Sequence, residues 1–407
     1  MVSPAPIGIY YPTDALGNVP GGIDAFIRNT LKCAPADLEY TLVGATSDPI
    51  ARPIGKPIQL ELGRNGTKFL PIVFADPTSS RQRMPLVVRY MYALSRERKA
   101  LATKRPRVLD FHRIEPMALF TGDKRPKNLT VHTDMAKTRD ANCDMRWRHA
   151  PWIYDLTERW LIRDIDRTFA VSRTAFDRYQ KIFPAFAHRF TFLPTIVDTA
   201  VFADSSDPAD RLRLRQALIG QCRANESSSF LVFVGRLDAS KDPVLLLKAF
   251  RQALLGNPNL HLVVIGDGSL RAELEATSRL PDLQGKVSLL GVKRPVEIAD
   301  ILRASDLFVL CSAYEGMPIA VLEALAAGLP VVSTRVGEIP GVVRNGVNGQ
   351  ISQERTPEGL ANAIAIALAG VAQMRGKPCT SSVEAFHCES VLEVVYDNHR
   401  RQAKISS

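Results

Sequence analysis

Short apolar runs alternate with longer helix-patterned segments along the whole chain, and that alternation leaves few folds open. Strand-like runs fall near residues 6–11, 40–45, 69–74, 107–112, 128–133, 166–171 and 190–194, then near 230–235, 260–265, 286–291, 306–311 and 330–334. A strand, a helix and a further strand close most readily as a parallel βαβ unit, so the pattern predicts α/β architecture with doubly wound parallel sheets. At 407 residues the chain exceeds one ordinary core and suits two such domains. The polar stretch 196–228, containing D-S-S-D-P-A-D and N-E-S-S-S, is the most linker-like and sets the boundary near 198. The expected organisation is a domain over 1–198, a second over 199–382 and a final helical segment over 383–407. Open α/β sheets bind ligands beyond the C-terminal ends of their strands, so the cleft between the two sheets is the expected site.

Composition excludes several classes. With 46% hydrophobic and 23% charged residues the chain folds around cores, and it has no run of 18 apolar residues that would make a transmembrane helix. The opening M-V-S-P-A-P-I-G-I-Y-Y-P carries no positive charge before Arg28 and lacks the form of a signal peptide. Cys33, Cys143, Cys222, Cys311, Cys379 and Cys388 include no C-x-x-C pair, so neither zinc nor a disulfide framework is expected and a reducing cytoplasm is the default location.

The stretch Cys311–Glu323, C-S-A-Y-E-G-M-P-I-A-V-L-E, follows the apolar run at 306–311 and reads as a strand-to-helix turn. Gly316 breaks the pattern and Pro318 suits the first position of a helix, which leaves Glu315 on the loop and Glu323 in the second helical turn. Two carboxylates beside a helix N-terminus fit a ligand that is both polyhydroxylated and phosphorylated, because carboxylates accept from vicinal hydroxyls while the amides of Gly316 and Met317 can donate to phosphate. The plainer reading is a turn cap and a surface helix residue. Upstream, F-L-V-F-V-G-R-L-D-A-S-K ends a strand at Gly235 and places Arg236 and Lys241 on the loop before a helix at about 243–255. Two cations there balance a diphosphate without a metal, although singly each also reads as a solvated surface charge.

Together these segments resemble the C-terminal domain of the retaining GT-B glycosyltransferases, specifically glycosyltransferase family 4. The resemblance rests on V-G-R-L-D-A-S-K, V-V-I-G-D-G-S-L-R-A-E-L-E, the Glu315/Glu323 pair, E-A-L-A-A-G-L-P-V-V-S-T and G-E-I-P-G-V-V-R-N-G-V-N-G, in the family's order. It implies two Rossmann-like domains facing across a cleft, with a final helix crossing back to the first and Val383, Phe386, Val391, Leu392, Val395 and Tyr396 as its packing face. It also implies that Arg236 and Lys241 hold the donor diphosphate, Glu323 the ribose hydroxyls and Glu315 the transferred sugar. No metal or other cofactor is expected.

The N-terminal half is less explicit. N-V-P-G-G-I-D-A-F-I-R places Gly21 and Gly22 before a helix with the stripe Ile23, Phe26, Ile27 and Leu31. An isolated G-G is usually only a turn, but the resemblance places a similar turn against the donor diphosphate. The spacing does not fit G-x-G-x-x-G, which argues against a dinucleotide oxidoreductase. His132 ends one expected strand and His112 the preceding one, and the resemblance favours His132 as the sugar-side residue, with Asp134, His112, Arg113 and Glu115 in second rank. F-L-P-T-I-V-D-T-A-V-F resembles the family's end-of-domain pattern, but Thr195 and Ile196 stand where Asn-Gly is usual. Asp164-Ile165-Asp166 spells the D-x-D of a different glycosyltransferase fold and reads instead as a solvated helix end.

Net charge is +10, part of it in residues 81–107, where Arg81, Arg83, Arg89, Arg96, Arg98, Lys99, Lys104, Arg105 and Arg107 stand against Glu97 alone. Apolar residues interleave at helical spacing, as in helices that lie on anionic membranes; a solvated basic face is the equal alternative. Nucleic acid is not an expected partner. The sequence therefore reads as a cytoplasmic retaining glycosyltransferase, peripheral on the inner membrane face if the basic helix binds lipid. It moves a hexose from a nucleotide sugar to a glycan or glycolipid acceptor such as a lipid-linked glycan or exopolysaccharide precursor. GDP-mannose is slightly favoured over UDP-glucose and UDP-N-acetylglucosamine. The rivals are a GT-B epimerase or phosphorylase and a non-catalytic nucleotide-sugar-binding subunit.

Overall fold

The computed structural model describes residues 4–17, 22–75, 84–103, 106–132, 151–205 and 207–405. They fall into two units, Met1–Pro194 with Cys388–Ser407, and Thr195–His387.

The first unit runs β1 (Ala5–Tyr10), α1 (Gly22–Lys32), β2 (Leu38–Thr46), β3 (Ile58–Leu60), β4 (Thr67–Phe74), α2 (Leu86–Thr103), β5 (Val108–Phe111), α3 (Ile114–Met117), β6 (Lys127–Val131), α4 (Pro151–Leu161), β7 (Arg167–Ala170), α5 (Arg173–Ile182) and β8 (Phe190–Phe192). Its sheet has the order β3-β4-β2-β1-β5-β6-β7-β8, parallel except for β3, which pairs antiparallel with β4. From β1 the chain moves one way to β2 and β4, then returns past β1 to β5 and onward to β8. Right-handed crossovers therefore put α1 on one face and α2 to α5 on the other. Ile7, Ile9, Leu42, Val108 and Leu109 are fully buried, as central parallel strands require.

The second unit runs α6 (Thr199–Phe202), α7 (Pro208–Cys222), β9 (Ser229–Val234), α8 (Pro243–Gly256), β10 (Leu260–Ile265), α9 (Arg271–Ser278), β11 (Val287–Gly291), α10 (Pro295–Ala304), β12 (Leu307–Leu310), α11 (Ile319–Ala326), β13 (Val331–Ser333), α12 (Ile339–Val342), β14 (Gly349–Ile351), α13 (Pro357–Ala369), α14 (Val371–Met374) and α15 (Lys377–Thr380). Its sheet, β11-β10-β9-β12-β13-β14, is parallel throughout. The order reverses between β9 and β12, which makes their C-terminal ends the switch point where such sheets bind ligands.

The last helix, α16 (Cys388–Ile405), belongs to the first unit. Tyr396 donates to the Thr30 carbonyl at 2.9 Å, and Gln402 and Asn398 close a buried amide network on Asn128. Because the helix begins at Cys388, Val383 and Phe386 are not on its packing face; Val383 is buried in the core of the second unit and Phe386 packs against that core. Two three-residue strands, β3 and β14, were not expected. Both lie at sheet edges, and their sequences, I-Q-L and G-Q-I, form no apolar run. Among the described residues no helix is long and apolar enough to cross a membrane.

Candidate active site

In the second unit the loops after β9, β10 and β12 meet at the switch point. Leu237 donates its amide to the Asp267 carbonyl at 2.9 Å and accepts from Leu270 at 2.9 Å, which locks the β9 and β10 loops together. Gly266, at φ 137°, has room for no Cβ: one would lie 1.9 Å from the Gly235 carbonyl oxygen. Asp238 shapes the loop carrying both cations. Its Oδ1 accepts from the Ser240 amide at 3.1 Å, the Ser240 hydroxyl at 2.6 Å and the Lys241 amide at 3.2 Å. Arg236 stands half-exposed with Nη1 2.9 Å from Asp238 Oδ2, an ion pair without hydrogen-bond alignment. Its guanidinium is thus held at one side and open to a ligand.

Lys241 points the other way and forms an ion pair with Glu315, whose Oε1 also accepts from the Ser312 hydroxyl at 2.7 Å. The two sites assigned by sequence to diphosphate and sugar are therefore directly joined. Glu315 lies on a loop that packs tightly against its neighbour. Glu338 donates to the Gly316 carbonyl at 2.9 Å, and Gly337, at φ 53°, would place a Cβ 2.0 Å from the same oxygen. Pro318 is extended at φ −72° and ψ 121°, so α11 starts at Ile319, one residue later than the sequence implied. Among the described residues the Gly316 and Met317 amides have no hydrogen-bond acceptor. They are available to an anion.

Glu323 sits in the second turn of α11, partly buried, and accepts no hydrogen bond among the described residues. Burial, with a smaller contribution from the Asp198 carboxylate, pushes its carboxyl up to about 7. A carboxyl in that condition gains from any hydroxyl that replaces lost water.

In the first unit Gly22 is the first residue of α1, while Gly21 and Asp134 lie outside the described residues. His112 and His132 follow neighbouring strands β5 and β6, with His112 Nδ1 2.8 Å from His132 Nε2 and the rings stacked at 5.1 Å. Phe26 of α1 meets His132 edge-on at 5.0 Å. Burial pushes His112 down to about 4 and His132 well below its usual range, so both imidazoles are neutral near pH 7. One ring must donate and the other accept, which makes His132 a fixed hydrogen-bonding group and not a charge. Arg113 and Glu115 pair with each other at 2.5 Å. Asp164 and Asp166 are also engaged: Lys127 Nζ lies 3.2 Å from Asp164 Oδ1, and the Lys127 amide donates to Asp166 Oδ2 at 2.8 Å.

Residues 215–375 match the family model of the glycosyl transferases, group 1. This segment belongs to the group 1 glycosyl transferases. Among curated proteins the chain is 26% identical over 249 residues to a D-inositol 3-phosphate glycosyltransferase of Segniliparus rotundus, covering 60% of this chain and 54% of that one. It is 31% identical over 179 residues to the UDP-Gal:alpha-D-GlcNAc-diphosphoundecaprenol alpha-1,3-galactosyltransferase of Escherichia coli, covering 43% and 44%. The chain thus spans about half the length of the curated relatives it matches. Its fold is that of GT-B glycosyltransferases. Sucrose-phosphate synthase from Thermosynechococcus elongatus superposes with a TM-score of 0.79 at 19% identity over 99% of this chain and 100% of that one. Anabaena Alr3699/HepE in complex with UDP-glucose gives 0.71 at 16% over 97% and 99%.

The group 1 glycosyl transferase segment contains supports that sequence reasoning passed over. Ser312 fixes Glu315, Asp238 shapes the cation loop, and Cys311 Sγ lies 3.3 Å from the Lys241 carbonyl and 3.1 Å from that of Asp242. Asp238 stands inside a motif that carried the resemblance, and Ser312 lies three residues before another. Their roles were hidden because the partners that define them lie in the folded loops. Asp198, upstream of the segment, stands in the F-L-P-T-I-V-D-T-A-V-F stretch, but its approach to Glu323 comes only through the fold.

Proposed function

We propose that the protein is a retaining glycosyltransferase that moves a hexose from a nucleoside-diphosphate sugar to a hydroxyl acceptor, with a lipid-linked glycan or exopolysaccharide precursor as the acceptor class. The observation that carries this reading is the meeting of Arg236 and the Lys241–Glu315 pair at the switch point of the second sheet, with Glu323 on the helix that leaves it. Arg236, Lys241 and the Gly316 and Met317 amides receive the diphosphate beside Gly235, Glu323 accepts the ribose hydroxyls, and Glu315 accepts sugar hydroxyls. By resemblance to the family, Gly21, Gly22 and His132 of the first unit also serve the donor, His132 as a neutral hydrogen-bonding group.

The sugar's C1–O bond to the diphosphate breaks while a new C1–O bond to the acceptor forms on the same face. The acceptor proton passes to the departing diphosphate oxygen. Stabilising that oxygen's charge is the main catalytic task, and two cations with aligned amides suit it without a metal. The named relative from Escherichia coli supports a UDP-sugar and a diphosphoundecaprenol-linked acceptor, so UDP-sugars are tested beside GDP-mannose. In this reading the protein works in the cytoplasm, on the inner face of the membrane.

The test incubates each nucleotide sugar with and without acceptor lipid. Product that requires acceptor and keeps the donor's anomeric configuration supports the reading. An epimerase gives altered sugar and free nucleotide without acceptor, a phosphorylase requires phosphate, and a binding subunit melts higher with nucleotide but makes no product.

A further inference from the structure

The outer surface of α4 is apolar and aromatic where a helix packed on its own sheet is normally polar. Trp152, Leu156 and Trp160 recur every four residues and are 62%, 58% and 56% exposed. The opposite side of the helix holds it in place: Tyr154, Glu158 and Leu161 are buried, and Glu158 accepts from Arg178 at 2.7 Å and from the Tyr179 hydroxyl. The exposed stripe is therefore a fixed surface and not a frayed segment. Single exposed apolar residues are ordinary, but three large ones in register form a patch of the kind that marks a binding surface.

A second stripe shares its sheet face. Met84, Val88 and Tyr92, also four apart, are 54%, 46% and 65% exposed, while Tyr90 and Leu94 of α2 are fully buried. α2 touches α3 and α3 touches α4, and the right-handed crossovers put all three on one side of the first sheet. Cations flank both stripes. Arg96 lies over the Tyr92 ring at 5.9 Å, Arg159 and Arg163 are exposed around Trp160, and both acids of α4, Asp155 and Glu158, are paired with Arg178. The sequence has nine cations against one acid over 81–107, of which Arg89 donates to the Phe74 carbonyl and Arg107 to that of Ala403.

We propose that this face docks on an anionic phospholipid surface, with Trp152, Leu156 and Trp160 entering the headgroup and acyl boundary and the α2 segment supplying the electrostatic attraction. Tryptophan suits that boundary because its ring is apolar and its N–H stays near water. Charge complementarity favours lipid over an ordinary protein partner. The inference rests on the lipid-linked acceptor class proposed above, since a membrane-bound acceptor requires an enzyme at the surface. It goes beyond the basic segment by naming a separate inserting element.

The chain supplies its own probe, because its three tryptophans are Trp147, Trp152 and Trp160. Full-length protein carrying W147F with W152F, or W147F with W160F, reports one α4 position at a time. Mixed phosphatidylglycerol and phosphatidylcholine vesicles should shift each emission to the blue, and brominated acyl chains should quench it. The triple variant W152S/L156S/W160S should keep its thermal midpoint and lose cosedimentation by about tenfold or more. Unchanged emission, absence of quenching, or a triple variant that sediments like the parent would overturn the proposal. So would a wild-type dimer in sedimentation velocity that the triple variant dissolves without any vesicle binding, since the face would then belong to a second copy. Vesicle binding alongside failed sugar transfer to detergent-dispersed acceptor would instead sink the function and leave the docking face standing.

Discussion

Lys241 Nζ and Glu315 Oε1 form an ion pair that ties the loop after β9 to the loop after β12. Both partners are mostly buried, with side-chain exposures of 19% and 10%, and Ser312 completes the carboxylate's shell. In the proposed reading a donor diphosphate competes for Lys241 and a sugar hydroxyl for Glu315, while the pair itself holds the two loops together.

Removing one partner should therefore cost more than removing both. Lys241→Met strands a mostly buried carboxylate and should destabilise by about 1 to 3 kcal/mol. Adding Glu315→Gln should restore much of that stability while turnover stays about two orders of magnitude or more below wild type. A double-mutant cycle by urea unfolding checks the first part; additive losses would show that the pair does not couple.

Glu323 gives a pH signature. Its carboxyl rises from the usual 4.5 to about 7, so the folded state retains a proton that the unfolded state releases. The stability this contributes is complete below about pH 4.5 and fades as pH climbs to about 7. The cost above that range is at most about 3 kcal/mol, less what the partly exposed oxygens recover from water. Glu323→Gln should flatten this slope and raise the melting temperature at pH 8, while weakening nucleotide binding. A parallel pH dependence in the variant would remove Glu323 as its source.

All twelve strands expected from the apolar runs are present; the central ones are buried on both faces and declare themselves by composition alone, while the edge strands β8 and β11 also lie in apolar runs. β3 and β14 escaped because I-Q-L and G-Q-I form no apolar run. The candidate site was legible to the extent that it stood inside motifs: Arg236, Lys241 and Glu315 lie on loops at one sheet switch point, and Glu323 on the helix that follows. What was not legible was pairing. No spacing rule says that Lys241 spends its charge on Glu315, that Asp198 faces Glu323, or that His112 and His132 share a hydrogen bond. Those relationships follow from loops folding together.

Gly266 tests whether the β9 and β10 loops are a rigid base for Arg236. A methyl group there would stand 1.9 Å from the Gly235 carbonyl oxygen at a φ of 137° that side chains avoid. Gly266→Ala should cost at least about 2 kcal/mol of stability and lower donor affinity even in the fraction that folds. Thermal melts with and without nucleotide would show it; a variant that melts and binds like the parent would mean the loops shift freely.

The histidine pair should leave no mark on the pH profile of turnover near the usual histidine range. Burial keeps both rings neutral, with His112 pushed down to about 4 and His132 well below the usual histidine range. His132→Ala should reduce turnover without moving any limb of the profile between about pH 6 and 8, since neither ring titrates there. A limb near pH 6.5 that disappears in the variant would show that His132 ionises in that range.

The central claim is that Arg236 and its neighbours bind a nucleoside diphosphate, and calorimetric titration of UDP, GDP and ADP into wild type and Arg236→Ala, all in EDTA, tests it most directly. Arg236 is 54% exposed in its side chain and, among the described residues, tied only to Asp238, so the variant should fold with an unchanged midpoint. One nucleotide should bind wild type in the presence of chelator, and the variant should bind it more weakly by about 1.5 to 3 kcal/mol, the range of a charged hydrogen bond. Equal affinity in both proteins, or binding that appears only when manganese is added, would contradict the account.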